Sequence, residues 1–303
     1  MSRAAAVVIG KNEGARLLRC LASLEGEAAP VVYVDSGSTD GSVAAARVAG
    51  ASVVELDMDM PFTAARARNA GLAALGRDAA PYVQLVDGDC EMVAGWIDRA
   101  ADFLDAHPRA AAVAGRLRER ASDNVFSRLA DAEWNVPPGE GRAIGGIALV
   151  RRAALAEVGG FDGAIAEGEE PELSQRLEGA GWQVWRIEGE MARHDIAMTR
   201  LSQWWRRTAR GGRAAAGAWR RNGSFGRETR SALLWGAALP VVAILSALLV
   251  TPWALLLLAA FPLQVLRLAI GKGMGWERAF FLTLGKLPEA QGVLSVLLRP
   301  VRG

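Results

Sequence analysis

Asp87, Gly88 and Asp89 follow directly on the apolar run Tyr82-Val83-Gln84-Leu85-Val86. In an extended segment their i,i+2 spacing puts both carboxylates on one side, and Gly88 removes the intervening side chain. Two oxygen ligands at the end of a buried strand suit a hard divalent ion, held directly or through water. Mg2+ or Mn2+ fits such ligands better than structural zinc, which recruits cysteine or histidine. An ion there would bridge the phosphates of a nucleotide donor and neutralise the charge that gathers on a departing diphosphate. Asp-Gly-Asp alone is also an ordinary surface turn. Its place after a strand, behind two earlier polar loops at strand ends, favours the metal reading.

The elements that must position this site alternate. Ala4 to Ile9 reads as a short buried strand that turns at Gly10-Lys11-Asn12-Glu13-Gly14 into a helix carrying Leu17, Leu18, Leu21 and Leu24 on one face. Val31 to Val34 is a second strand ending in the small and polar run Asp35-Ser36-Gly37-Ser38-Thr39-Asp40-Gly41, which suits a loop over the top of a sheet. A helix over Val43 to Val48, a strand over Ser52 to Leu56 and a helix opened by Pro61 follow; Ala64, Ala67, Ala70 and Gly71 allow that helix to pack closely. Trp96 to Ala106 is a further helix, with His107 as its C-terminal cap, and Ala110 to Ala114 returns to the sheet. This order predicts an α/β fold, a Rossmann-like and mostly parallel sheet with helices, and ligands across the C-terminal strand ends. Beyond it, the polar stretch Ala121 to Glu140 reads as a substrate wall, Ile147 to Val150 as an apolar stretch, Arg151 to Val158 and Glu169 to Leu177 as helices, and Trp182 to Trp185 as strand-like.

Four segments together resemble the successive motifs of family 2 glycosyltransferases: Ile9-Gly10-Lys11-Asn12-Glu13, Val34-Asp35-Ser36-Gly37-Ser38-Thr39-Asp40-Gly41, Arg68-Asn69 and Asp87-Gly88-Asp89. The resemblance runs over about residues 5 to 195. It implies the GT-A fold, a nucleotide-sugar donor and inversion at the anomeric carbon. By the same resemblance Asn12, Glu13 and Asp35 line the nucleoside pocket, Asp40 and Arg68 organise it or its phosphate side, and Asp89 is the direct metal ligand of the Asp-Gly-Asp pair, with Asp87 beside it. Asp40 has a plainer reading as a helix cap, and Glu13 as a stabiliser of a helix N-terminus.

The segment Gly168-Glu169-Glu170-Pro171-Glu172-Leu173 resembles the acidic run of the same family at the start of a helix. Family members carry Glu-Asp there and this chain Glu169-Glu170, which puts the catalytic base at Glu170, with Glu169 as the other candidate. Such a base takes the acceptor hydroxyl proton while displacement occurs at the sugar carbon. Glu172 pairs on this reading with Arg176, four residues on. His194 is one of two histidines; related enzymes imply a third metal ligand there, against a hydrogen-bonding role in an acceptor loop. Gly145-Gly146 gives backbone access near the transferred sugar, or is ordinary loop geometry.

Hydrophobic residues make up 51% of the chain, and the mean hydropathy is +0.15. The surplus is concentrated. No charged residue occurs between Ser231 and Leu266, whereas Arg200 to Arg230 is crowded with arginine, so the net charge of +2 hides a local bias. The 36 uncharged residues suffice for two helices of about 18 residues each, at the short end of spanning length. Thr251-Pro252 divides them, and Arg227, Arg230, Arg267 and Lys272 flank them. A hairpin with both ends on the cytoplasmic side follows from the positive-inside rule, with a re-entrant pair as the other reading. Trp204, Trp205, Arg206 and Arg207 suit the headgroup boundary. Their run resembles the Gln-x-x-Arg-Trp region of processive family members, but Arg207 stands at the tryptophan position.

The expected organisation is a catalytic domain over 1–199, a basic aromatic interfacial segment over 200–230, a transmembrane or re-entrant hairpin over 231–270, and an amphipathic segment over 271–303 suited to the membrane surface or an oligomer contact. The basic cluster adjoins a membrane segment and lacks interleaved stacking aromatics, which argues against nucleic acid. Cys20 and Cys90 form no CxxC motif and suggest a reduced compartment; no signal peptide is read at the start. The expected partners are a nucleotide-sugar donor, membrane lipids and a lipid-linked or membrane-proximal acceptor, at a bacterial inner membrane. Nucleotidyl or phosphoryl transfer, and a non-catalytic nucleotide-binding scaffold, are the competing readings.

Overall fold

The computed structural model describes residues 2–76, 80–120, 124–141 and 143–299. The chain divides into two compact units: residues 1–123 with 130–197, and residues 124–129 with 198–303.

The first unit is built on nine strands among the described residues: β1 (Ala4–Gly10), β2 (Val31–Asp35), β3 (Ser52–Glu55), β4 (Tyr82–Asp87), β5 (Cys90–Met92), β6 (Ala110–Glu119), β7 (Gly139–Gly141), β8 (Ala148–Arg151) and β9 (Gln183–His194). They form one sheet in the order β3-β2-β1-β4-β8-β6-β9-β5, with β7 added on β9. The half from β3 to β4 is parallel throughout. Its central strand reads Ala-Ala-Ala-Val-Val-Ile and is buried on both faces, as a strand covered by helices on either side requires.

Beyond β4 the sheet is mixed, which differs from the mostly parallel reading. β8 runs antiparallel to both β4 and β6, β5 and β7 run antiparallel to β9, and β6 runs parallel to β9. Short connections allow this; Asp87 to Cys90 is a tight turn that leads straight into β5, and a turn of that length cannot make a parallel crossover. The apolar signal also stopped short of the true strand ends. β6 continues five residues past Ala114 and β9 begins near Trp182 but runs to His194, because their outer halves mix polar, half-buried residues with isolated buried ones such as Met191 and Ala192.

The helices of this unit are α1 (Ala15–Ser23), α2 (Ser42–Val48), α3 (Ala64–Ala74), α4 (Trp96–Ala106), α6 (Arg152–Glu157) and α7 (Glu169–Gly179); α5 (Val125–Glu133) lies between β6 and β7. Leu17, Cys20, Leu21 and Leu24 are buried, whereas Leu18 points outward. Helix α3 opens at Thr63, whose hydroxyl accepts from the Arg66 amide, rather than at Pro61. His107 does cap α4, its Nδ1 lying 2.8 Å from Phe103 O. The stretch read as a polar wall holds α5 and β7 instead of continuous loop, and its residues 121–123 lie outside the described residues.

In the second unit α8 (Leu201–Asn222) precedes two helices long and apolar enough to cross a membrane, Gly226–Leu249 and Pro252–Gly271, with mean hydropathies of 2.3 and 2.0. Their apolar side chains, among them Leu245, Leu248, Leu256 and Leu263, are largely exposed. The break at Thr251-Pro252 is as read. Within the segment read as amphipathic, Trp276–Leu284 and Lys286–Leu297 form two helices. Trp204, grouped with the interface residues, is in fact 6% exposed and meets the Phe281 ring edge-on at 5.1 Å; it is a packing residue. Trp205 donates from Nε1 to Gln291 Oε1 at 2.7 Å, Arg206 is exposed and Arg207 half-buried.

Helix α3 reaches β1 only because Gly71 lacks a side chain. A Cβ there would overlap Val7 Cγ1 and lie 3.1 Å from Val34 Cγ2. Gly71→Ala is therefore expected to lower stability by about 1–3 kcal/mol in chemical denaturation, despite its better helix propensity. Val7→Ala in the same chain should recover part of that loss.

Candidate functional site

Arg68 lies on the sheet-facing side of α3 and is 3% exposed. Its Nη1 donates to Glu169 Oε1 at 2.8 Å and to Glu170 Oε1 at 3.1 Å, and its Nη2 reaches Asp87 Oδ1 at 3.3 Å. The guanidinium also lies 5.5 Å from the centre of the Phe161 ring. Asn69, the next residue, holds Phe161 in place by donating to its carbonyl and accepting from its amide. One guanidinium thus joins the end of β4 to the start of α7. Gly146 lies against this cluster, where a Cβ would stand 2.8 Å from Arg68 Nη2, 3.0 Å from Asp87 Oδ2 and 3.3 Å from Glu170 Oε1. Gly145 has no such neighbours.

The packing perturbs these groups. Loss of hydration pushes the Asp87 carboxyl up to about 6; Arg68 opposes the shift, and Asp89 and Glu170 add to it. The Asp87 side chain keeps 38% of its surface, so solvent moderates the push. Glu169 is also raised, first by burial and then by Glu170, against the pull of Arg68. Burial would discharge Arg68, but the three carboxylates around it hold its pKa above the usual value. Glu172 is engaged elsewhere, in the expected pair with Arg176 at 2.6 Å.

Asp89 meets His194 because β5 runs antiparallel to β9, with Cys90 opposite His194. His194 Nε2 lies 3.3 Å from Asp89 Oδ2, and its Nδ1 lies 3.0 Å from Glu119 Oε2. Burial works against a charged ring here, yet Asp89 and Glu119 hold the His194 pKa at about 9. The Asp89 carboxyl in turn is lowered, the imidazolium outweighing the effect of burial. Cys90 Sγ joins Asp89 and His194 in a group whose ligand atoms lie within 4.8 Å of one another. Burial and Asp89 push its thiol pKa well up, so it is a neutral donor to Asp89 Oδ1 at 3.4 Å rather than a thiolate ligand. A carboxylate and an imidazole with no thiolate form a donor set that suits Mn2+ or Mg2+ completed by phosphate and water oxygens.

The two loops read as a nucleoside pocket are stitched together. Asn12, with φ at +56°, accepts through Oδ1 from the Thr39 amide at 2.7 Å, while its own amide donates to Ser38 Oγ at 2.8 Å. Asp35 is 2% exposed and accepts from Tyr33 Oη and from the amides of Gly37 and Ser38. Its carboxylate is engaged in shaping its own loop. Asp40 accepts from the amide and hydroxyl of Ser42 at the start of α2, which lowers its pKa, but the N-cap position itself is Gly41. Glu13 pairs with Arg16 at 2.7 Å, and its pKa is raised by burial and then by the Asp89 charge.

Asp87, Trp134, Gly145, Gly146, Arg186 and His194 border one cleft of about 310 Å³. Glu119, which holds His194, and Arg186 escaped the sequence reading, while Trp134 lies in the stretch read as a substrate wall. Glu119, Trp134 and Arg186 sit in segments with no motif, and they reach the site only through the pairing of β6 with β9 and the 4.7 Å edge contact of Trp134 with His194.

Arg68→Gln leaves the buried carboxylates without their cation and should cost about 3–5 kcal/mol in denaturant unfolding at pH 7. Glu169→Gln added to it should restore a measurable part. The raised His194 pKa fixes a second expectation. The folded value, about 9, stands above the unfolded one, so its stabilisation is complete below about pH 6.5 and disappears as pH rises through about 9. Unfolding of chelator-treated protein should show this decline between pH 6.5 and 9, on the order of 3 kcal/mol, and His194→Asn should flatten it.

A curated TPR repeat-containing protein of Synechococcus elongatus is 30% identical over 137 residues, 45% of this chain. The chain spans 33% of that relative's length. Among solved structures, glucosyl-3-phosphoglycerate synthase from Mycobacterium tuberculosis in complex with Mn2+ and uridine-diphosphate-glucose is similar, with a TM-score of 0.54 and 18% identity over 73% of this chain and 80% of that one. S. aureus TarS is similar too, with a TM-score of 0.51 and 15% identity over 92% of this chain and 55% of that one. At such identities the likeness is one of fold, and the fold is GT-A. The model for glycosyl transferase family 21 matches residues 132–295. The model for glycosyl transferase family 2 matches residues 5–159, half of the chain and all four sequence motifs, and the protein belongs to that family.

Proposed function

We propose that this protein transfers a sugar from a nucleotide-sugar donor, with inversion, to a lipid-linked or membrane-proximal acceptor, with the help of Mg2+ or Mn2+. The observation that carries the reading is the convergence of Asp87, Glu169 and Glu170 on Arg68 beside the Asp89–His194 pair, all at one end of the sheet.

Glu170 is the better base of the two glutamates. Its side chain is 20% exposed against 7% for Glu169, and Glu169 makes the shorter contact with Arg68. Glu170 Oε1 also lies close to Gly146, whose lack of a side chain lets the carboxylate pack against backbone at the border of the cleft. In the transfer Glu170 takes the hydroxyl proton as the acceptor oxygen bonds to the anomeric carbon and the nucleoside diphosphate departs from the opposite side. Asp89 and His194 would hold the divalent ion, with Asp87 oriented next to it by Arg68. When bound, the ion neutralises charge on the leaving diphosphate. Asn12, Glu13, Asp35 and Asp40 shape the nucleoside side, Asn12 and Asp35 by fixing loop backbone. Gly145 and Gly146 open the path to the transferred sugar. The glucosyl-3-phosphoglycerate synthase complex with Mn2+ and uridine-diphosphate-glucose supports the choice of donor and ion.

Membrane attachment supports the acceptor class. The exposed apolar helices Gly226–Leu249 and Pro252–Gly271 form a hairpin in the bilayer. Arg227 and Arg230 at one end and Arg267 and Lys272 at the other support a reading with both ends on the cytoplasmic face of a bacterial inner membrane. Trp205, Arg206 and Arg207 lie at the headgroups, and Trp276–Leu284 with Lys286–Leu297 is available for contacts between copies.

Turnover and binding measured in detergent with UDP- and GDP-sugars, with and without Mg2+ or Mn2+, test the reading. Asp89→Ala should weaken metal-supported nucleotide binding at least tenfold. Glu170→Gln should lower kcat by about 10²–10⁴-fold while donor affinity stays within threefold. Productive use of a nucleoside triphosphate with no nucleotide sugar bound would replace sugar transfer by nucleotidyl or phosphoryl transfer, and unchanged turnover would reject Glu170 as the base.

A further inference from the structure

Arg186 borders the cleft with Asp87, Trp134 and His194, and the proposed transfer gives it no part. Its Nη1 donates to Gly115 O at 2.7 Å, its one protein partner among the described residues. The other cations of the cleft are neutralised. Arg68 is shared by three carboxylates, and His194 lies between Asp89 and Glu119. Arg186 meets like charge instead. Burial first, and then Arg116 on the neighbouring strand, hold its pKa below the usual guanidinium value, although Asp87 and Glu133 line the same cleft.

Arg116 has capacity to spare as well. Its Nη2 pairs with Asp131 at 2.8 Å, while its Nη1 is buried without an acceptor among the described residues. A guanidinium has five N–H donors, and leaving most of them unmatched in a partly dehydrated cleft is unfavourable until an anion arrives. Position assigns the side. Arg116 and Arg186 belong to β6 and β9, separated from the nucleoside loops after β1 and β2 by β4 and β8 in the sheet order.

Resting on the sugar-transfer reading for its meaning, we infer that Arg186, with Arg116 beside it, is a subsite for a phosphate group carried by the acceptor. The Arg186 guanidinium offers forked donors that match phosphate oxygens, and Arg116, on the neighbouring strand behind the cleft lining, adds positive charge. Held there, the phosphate anchors one end of the acceptor while its hydroxyl lies toward Gly146 and Glu170.

The test uses the full chain in detergent, with saturating UDP and Mg2+, titrated with inorganic phosphate by calorimetry. One phosphate should bind per chain. Arg186→Gln should weaken it at least tenfold and Arg186→Lys by less, and both variants should hold UDP within twofold of the unaltered protein. Phosphate binding that survives Arg186→Gln, or that saturating UDP abolishes, overturns the proposal. If Arg186→Gln fails to fold, Arg186→Lys decides: phosphate affinity equal to that of the unaltered protein overturns it. Absence of UDP binding beside Arg186-dependent phosphate binding would sink the transfer reading and leave the anion subsite standing. Micelles doped with phosphatidic acid separate the sources, since displacement of inorganic phosphate marks a lipid-borne phosphate and no displacement a soluble one.

Discussion

A single buried guanidinium holds the cleft end of the sheet together. Arg68 accepts the charge of three carboxylates that come from β4 and from the first turn of α7, segments some 80 residues apart in the chain. Buried carboxylates this close repel one another, and without a cation they would protonate or separate. With Arg68 between them they stay together, and the orientation of Asp87 and Glu170 toward Gly146 follows. The position of Arg68 depends in turn on the close approach of α3 to β1 at Gly71. Backbone packing in the sheet thus sets the electrostatics at its rim.

A second pair works differently. His194 is fixed from both ring nitrogens, by Asp89 on one side and Glu119 on the other. Such a ring has its orientation set by neighbours, as a histidine that offers one nitrogen to a ligand needs. Cys90 is drawn into the same corner but stays a neutral thiol. The corner forms because the chain reverses immediately after Asp89 and lays β5 along the end of β9. The mixed half of the sheet, which departs from the simpler parallel expectation, is therefore the half that completes the site.

The second unit follows other rules. Its two long apolar helices expose leucine, valine and isoleucine side chains that a water-facing protein would bury. The Arg-rich helix α8 sorts its residues more finely than composition suggests. Trp204 turns inward onto Phe281 while Arg206 points out, two residues further along the same helix.

Local sequence carried much of this protein. The apolar runs of β1, β2 and β4, the small polar loops after the first two, Asp-Gly-Asp after the third and the uncharged 36-residue interval are all legible, because each is a contiguous pattern whose burial or turn chemistry acts over a few residues. The Glu172–Arg176 pair and the His107 cap were legible for the same reason. Glu119 and Arg186 were not, nor was the inward turn of Trp204. Each takes its meaning from a neighbour far along the chain: Glu119 from His194, Arg186 from Gly115 and Arg116, Trp204 from Phe281. Tertiary structure alone decided that Arg68 would gather Asp87, Glu169 and Glu170, since charge pairing between distant segments depends on where a sheet and a helix bring them, and no spacing in the chain encodes that distance.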